Sequence, residues 1–595
     1  MRSIKWVAPL RDGIPTHANG SRCRPSVTSL RSSILLALLV VPLVACQGFV
    51  GDRPPGPDDP GGGGGGGGGG SGDGGVDLPE GVVVAAPQSR IPRLTHDEWE
   101  RTVQELLHLD GASGLESALR TDSLPGEAVF DNPGGMLSVD EVLWAGYQRA
   151  ATTLAERVTA DPALLARVAP GTMDEAGAEA FIRAFGLRAH RRPLEDAEVA
   201  EYMALYRAAA GLYGTLGAFP SGIRLVLEAM LQSPFFLYRV ELSATPAEDA
   251  IPLDDYEVAS RLSYALWGSM PDEELFAAAA AGMLSERGGV EVQARRMLED
   301  ARAEERVVDF HRQLFDVNDF AGIAPSPTAF PGVSARLGEY AAAEHDLFVR
   351  ELVFGQDATY GDLLTSTATF VNADLARIYG IPGAFGDELV PVMLNDAERR
   401  GVLTQIGFLA SNSTRTSPDP IHRGVFIAER IACIPIAAPP ANTPPPDPVP
   451  GLTNRETIAA HTEQPGSICA GCHAQIINPF GFAFESYDAI GAWRTEDSGF
   501  PVDTMSSPPV DGMPTPVSDA TELAGALADS EWAHECYSRH WIEFALGRHI
   551  APEDEALIAQ LSQPSQRGEL AVRELIVSLV TSPAFLTRSA REVSE

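Results

Sequence analysis

The feature that most narrows what this chain can fold into is the pentad Cys469-Ala470-Gly471-Cys472-His473. Positions i, i+3 and i+4 share one face of a helix, so a single turn gathers two thiols and an imidazole. That spacing lets both sulfurs bond the vinyl edge of a porphyrin while the histidine reaches its iron, the pattern of c-type haem attachment. With 6 Cys and 12 His in 595 residues, chance supplies roughly 0.001 such pentads. Zinc needs about four ligands, and no second Cys-x-x-Cys completes a set. A thioredoxin-like dithiol should sit beside a βαβ pattern, and none is visible. A short-loop disulfide or redox pair stays open. Cys469 and Cys472 are the candidate attachment points of one covalent haem c, and His473 is its candidate proximal iron ligand.

The N-terminus bears on where such chemistry takes place. Arg31 precedes an apolar run from Ile34 to Ala45, too short to span a bilayer and suited to a signal-peptide core. The run ends Leu43-Val44-Ala45-Cys46, which looks like the lipobox of a bacterial lipoprotein and makes Cys46 the candidate lipidation site. Gln47 follows instead of Asp, which by analogy with lipoprotein sorting favours the outer membrane. An ordinary secretory signal with a coincidental Cys46 is the alternative, and the long stretch 1–30 leaves a downstream start open. The expected location is therefore outside the cytoplasm, lipid-anchored at the outer membrane, cell surface or periplasm. Covalent haem attachment in bacteria happens in that compartment, so the two signals support each other. Export also permits disulfides. With Cys23 and Cys46 set aside as precursor and lipid residues and the pentad as haem ligands, Cys433 and Cys536 remain as the candidate pair. Two unrelated buried thiols are the other reading.

The formal charge is −37, with Lys5 the sole lysine. No basic stripe stands out to meet phosphates, which argues against a nucleic-acid partner; a solvated acidic surface suffices.

Along the chain, a signal segment (1–46) is followed by a Gly/Pro-rich tether (47–84), which composition makes a flexible coil. Helical periodicity then dominates. Modules are expected at 85–165, 173–245, 250–385, 395–500 with the pentad, and 515–592. Thr95 with Glu98, Asp254 with Glu257 and Thr453 with Glu456 are capping boxes. Pro271 with Asp272 opens another helix. A polyproline stretch from Pro439 to Pro450 reads as an extended spacer, and Asn478-Pro479 as a stop after the haem turn. No alternating strand run appears. The predicted fold is mainly α: several helical modules in series, with a small cytochrome-c-like module near the C-terminus.

The motifs on these modules carry a resemblance. They comprise Arg93-Leu94-Thr95 with Glu98-Trp99, Phe185 with Arg191-Arg192-Pro193-Leu194, and Ser233-Pro234-Phe235-Phe236-Leu237-Tyr238-Arg239. Further on come Leu262-Ser263-Tyr264-Ala265-Leu266-Trp267, Thr416-Ser417-Pro418, Arg423-Gly424, Gly481-Phe482, Tyr487-Asp488-Ala489-Ile490-Gly491 and Phe544-Ala545-Leu546-Gly547-Arg548. In this order they resemble the exported cytochrome-c-like multidomain family of planctomycetes and myxobacteria. That is the family of domain of unknown function 1592, accompanied by domains 1587, 1595, 1588 and 1585. The resemblance implies an exported cytochrome-like protein and supplies no reaction. The family commonly has Asp-Pro after the haem histidine, where this chain has Asn478-Pro479.

The sixth iron position is open on sequence grounds. Met505 and Met513 lie downstream, as in Met/His cytochromes; His540, with His534 and His549, offers a bis-histidine alternative. Arg423 and Arg494 are candidates for haem propionates, although a structural salt bridge is the preferred reading. His311 and His345 read as core or surface residues. No Gly-x-Ser-x-Gly, His-Glu-x-x-His or phosphate-cradling loop occurs in a supporting context. The leading expectation is a membrane-anchored haem protein in electron transfer or haem-dependent redox chemistry, with an unidentified redox partner protein. The alternatives are a surface binding or scaffolding protein without functional haem, and a peroxidase-like haem enzyme.

Overall fold

Helices begin where the sequence supplies a cap. In the computed structural model, which describes residues 86, 88–124, 128–214, 216–243, 250–438 and 449–589, Thr95 Oγ1 accepts from the Glu98 amide at 3.1 Å. The Glu98 carboxylate accepts from the Thr95 amide at the same distance, opening the helix His96–Leu106. The same reciprocal box starts Asp255–Trp267 at Asp254 and Asn454–Thr462 at Thr453. Each box satisfies two amides that would otherwise lack partners. Asp272 caps Glu273–Ala280. The fold is mainly helical, as the periodicity predicts. Among the described residues, strands form four antiparallel two-stranded pairs. The longest, Ala368–Val371 against Val390–Met393, spans four residues a side, too short to leave a legible alternation.

The modules do not each keep a core of their own. Side chains from Leu94 to Leu237, joined by Tyr264 and Met270, form one apolar cluster. Side chains from Leu253 to Phe585, joined by Phe130, form a larger one. The helix Asp255–Trp267 serves both, since Tyr264 belongs to the first and Trp267 to the second. Every residue from Glu257 to Trp267 is buried, which is the condition of a helix packed on all sides.

The motif residues hold these parts together. Arg191 donates to the carbonyls of Phe235 and Tyr238 at 2.7 and 2.6 Å and to the Tyr264 hydroxyl at 3.3 Å. Tyr264 also meets Thr102 at 2.9 Å. Arg261 pairs with Glu241, both buried, and donates to the carbonyls of Phe585 and Thr587 at 2.6 and 3.0 Å. Beside it, Ala250–Pro252 pairs with Thr587–Ser589. At the other seam, Asn132 donates to the Phe544 carbonyl at 2.7 Å and the Gly134 amide to Gly547 at 2.9 Å.

Cys433 and Cys536 are joined in a disulfide across 103 residues of sequence. No described helix is long and apolar enough to cross a membrane. The signal segment, Cys46, the glycine tract and residues 439–448 of the polyproline stretch lie outside the described residues.

Candidate functional site

The Cys-x-x-Cys-His turn stands on a close crossing of two short helices. Asp419 caps Pro420–Phe426, and this helix crosses Asn478–Phe482. A Cβ on Gly424 would lie 2.0 Å from the Ile477 carbonyl oxygen, and one on Gly481 would lie 1.9 Å from that of Pro420. Only glycine permits backbones so near each other. Arg423 lies beside this crossing, fully buried. It donates to the carbonyls of Leu409, Phe484, Tyr487 and Asp488 and to Ser413 Oγ, all between 2.9 and 3.3 Å. Burial lowers its pKa to about 10. Arg494 is held by Glu485 at 2.9 Å and Asp497 at 3.1 Å. Arg494 forms the structural salt bridge that the sequence reading offers for it, whereas Arg423 is an internal brace held by carbonyl oxygens and a hydroxyl.

The turn that carries the pentad is capped by Ser467, whose hydroxyl accepts from the Ala470 amide at 3.2 Å at the start of Ile468–Cys472. The winding widens into a π turn over His473–Ile477 and passes directly into Asn478–Phe482. The expected stop at Asn478-Pro479 is therefore not observed. Asn478 is helical (φ −64°, ψ −41°), and Pro479 falls in the first turn of the next helix, where its missing N–H is not needed.

None of Ile468–Cys472 is buried. Ile468 is 68 % exposed, and Cys469 and Cys472 are half-buried and outside any disulfide. His473 is also half-buried, with Nδ1 3.1 Å from Asn478 Oδ1. Asn478 is fully buried. Its Nδ2 donates to Thr462 Oγ1 at 2.9 Å and Glu463 Oε1 at 2.7 Å. Two sulfurs and an imidazole thus share one half-buried turn, and the imidazole is held through Nδ1 rather than Nε2. This donor set fits a covalently attached haem. The roles of Asn478, Thr462 and Glu463 had no signal in the sequence beyond the place of Asn478 before a proline.

The other candidates lie elsewhere. Met505 and Met513 project into solvent, 70 % and 68 % exposed. The Met505 carbonyl accepts from Arg455 at the start of Asn454–Thr462, whereas Asn478 binds the far end of that helix, about 10 Å along its axis. Met513 belongs to a hairpin whose Asp511 accepts from Ser530 and Trp532. His540 is buried with Nε2 3.0 Å from the Arg430 carbonyl, so that nitrogen is already engaged. His534 is bound to Ser565 and to the Ala528 carbonyl, and His549 lies 3.5 Å from Glu543 at the surface. His540 also approaches Cys433 and Cys536 within 4.8 Å, but the disulfide commits both sulfurs and leaves no metal site. His311 and His345 are core residues. His311 contacts the Val307 carbonyl at 2.8 Å and the Tyr537 hydroxyl at 3.0 Å; burial lowers the two pKa values to about 4 and about 3.

The molecule is thus a multi-module, mainly helical protein whose motifs lie on the seams between its parts. Five family models match in chain order, each described as a protein of unknown function. They are DUF1587 at 92–160, DUF1595 at 177–241, DUF1592 at 253–381, DUF1588 at 399–497 and DUF1585 at 514–585. The chain belongs to this multidomain DUF1592 family. Searches of curated proteins and of solved structures give no match.

Proposed function

We propose that this protein is an exported c-type haem lipoprotein, held at the membrane through lipid on Cys46 and serving electron transfer or haem-dependent redox chemistry at the cell surface. The observation that carries the reading is the Cys-x-x-Cys-His turn, with no buried residue in Ile468–Cys472 and an imidazole gripped through Nδ1. Each thiol adds across one vinyl group, sulfur to one carbon and its proton to the other, so attachment needs no oxidant. Bound there, the group supplies a one-electron couple at iron. His473 offers Nε2 as the proximal donor, and the buried crossing under Gly424 and Gly481 holds the turn rigid. An unidentified redox protein is the partner this reading requires.

The test is expression in a host with haem-ligation machinery, followed by a haem-stained denaturing gel and a reduced spectrum. Covalent colour with an α band is expected, and Cys472→Ala should lose it. A colourless mature protein, or Cys469 bridged to Cys472, refutes the reading and leaves the binding or scaffolding alternative. A second reading, a peroxidase-like haem enzyme with an open sixth position, draws on the exposure of Met505 and Met513 and the engagement of His540. Spectral shifts with CO or peroxide favour it; an unresponsive six-coordinate spectrum rejects it.

A further inference from the structure

We infer that Asn478 is the positioning residue for His473, and that Glu463 supplies, one side chain further out, the negative charge that strengthens its hold. The proton assignment stands on hydrogen-bond chemistry alone; its consequence for iron rests on the haem reading above.

The argument is a count of protons. The Thr462 hydroxyl donates to the Ile458 carbonyl at 2.8 Å, so toward Asn478 its oxygen can only accept. The Glu463 carboxylate also accepts. Both acceptors face the same atom of Asn478, at 2.9 and 2.7 Å. That atom must be the amide nitrogen, whose two hydrogens are then both used. The amide oxygen is therefore turned to His473 Nδ1 at 3.1 Å, and an oxygen acceptor there requires the proton on Nδ1. Nε2 is left bare, the form an imidazole needs to bind a metal. An N–H donor behind a metal-binding histidine fixes its ring and raises its basicity, and a carboxylate on the far side of the amide polarises the chain further.

The arrangement also explains why an amide occupies this place. An aspartate at 478 would accept but not donate, setting a second carboxylate against Glu463 in a buried setting, where like charges are costly. Asparagine with glutamate at 463 keeps every partner satisfied and moves the charge outward by one side chain. Aspartate with a neutral donor at 463 is the exchanged solution, with the Thr462 hydroxyl turning from the Ile458 carbonyl to donate to the carboxylate.

Two measurements on the full chain test this. Histidine-labelled, haem-free protein is examined by long-range proton–nitrogen NMR, with the His473 signal identified by its loss in His473→Gln. The wild type should show the Nδ1–H tautomer, and Asn478→Leu should lose that preference; an Nε2–H tautomer in the wild type overturns the proposal. In haem-loaded protein, Glu463→Gln keeps an acceptor and removes the charge, so the reduction potential should rise with thermal stability little changed. Asn478→Asp alone should lower stability. Asn478→Asp with Glu463→Gln should restore it and lower the potential. At the wild-type midpoint the double variant should be about tenfold more oxidised, which is 59 mV for one electron. Potentials that coincide across the three variants refute the role toward iron. If wild-type protein takes no haem, the proposed function falls, and the tautomer measurement still decides the proton assignment.

Discussion

Replacing Gly481 with alanine tests whether the crossing beneath the pentad is set by backbone contact. Both Gly481 and Gly424 sit in helices without left-handed backbone angles, so alanine meets no conformational penalty and gains up to about 1 kcal/mol of helix preference. The opposing effect is steric. The new methyl would stand 1.9 Å from the Pro420 oxygen and 2.7 Å from its carbonyl carbon. A carbon normally approaches a carbonyl oxygen to about 3.3 Å, so the helices must part by about 1.4 Å. The obstacle is main chain and cannot rotate aside. Overpacking costs roughly 1–3 kcal/mol, and the parting stretches the fan of Arg423 hydrogen bonds, each contributing about 1 kcal/mol. The net expectation is a loss of about 3 kcal/mol, read as a lower urea midpoint by tryptophan fluorescence with faster proteolysis near the pentad. Gly525→Ala is the internal control: that glycine lies in Ala520–Ala528 with nothing within 4 Å, and alanine there should be neutral or stabilising by up to about 1 kcal/mol. If both substitutions behave alike, the close-contact argument is wrong.

Further expectations concern the body that carries the site. Burial raises the Glu344 pKa from 4.5 to about 7, although Thr369 and Tyr379 both donate to its Oε1 at 2.6 Å. The folded state therefore keeps a proton that the unfolded chain has released. This contribution is full below pH 4.5, declines as pH rises toward 7 and is gone above it, a change of about 3 kcal/mol. Buried His311 and His345 tilt stability the opposite way, being lowered in the fold, so the wild-type profile mixes the two. The difference between Glu344→Gln and wild type isolates the carboxyl; it should favour the variant increasingly from pH 5 to pH 8, and a flat difference refutes the assignment. Converting Cys433 and Cys536 to serine opens a loop closed across 103 residues, for which chain entropy gives about 4.7 kcal/mol. The melting temperature should fall, and dithiothreitol should lower the wild type to match. Glu241→Gln leaves the buried Arg261 guanidinium without its counter-charge and should cost about 3–5 kcal/mol by equilibrium unfolding; a loss below about 1 kcal/mol would show the pair to be dispensable.

How far the sequence could be read depends on how local each piece of physics is. The boxes at Thr95, Asp254 and Thr453 were legible because cap and carboxylate lie three residues apart, and the observed helices start at each. The proline rule failed at Asn478 because it weighs one residue against its neighbour. There the outcome is set by a crossing with a helix more than fifty residues earlier, where Gly424 and Gly481 press the two main chains together. Tyr264 meets Thr102 and Arg191 across 162 and 73 residues, distances at which no periodicity speaks, so the two shared cores were not legible. The same limit applies to the candidate site. The pentad announces itself through spacing, but the proton on His473 is decided by Thr462, Glu463 and Asn478, whose partnership shows only once the chain has folded. Most motifs behind the family resemblance, including Arg191, Tyr264, Arg423 and Gly547, form seams between helices. They fix how the body is assembled, and the chemistry proposed for it rests on the half-buried turn that they support.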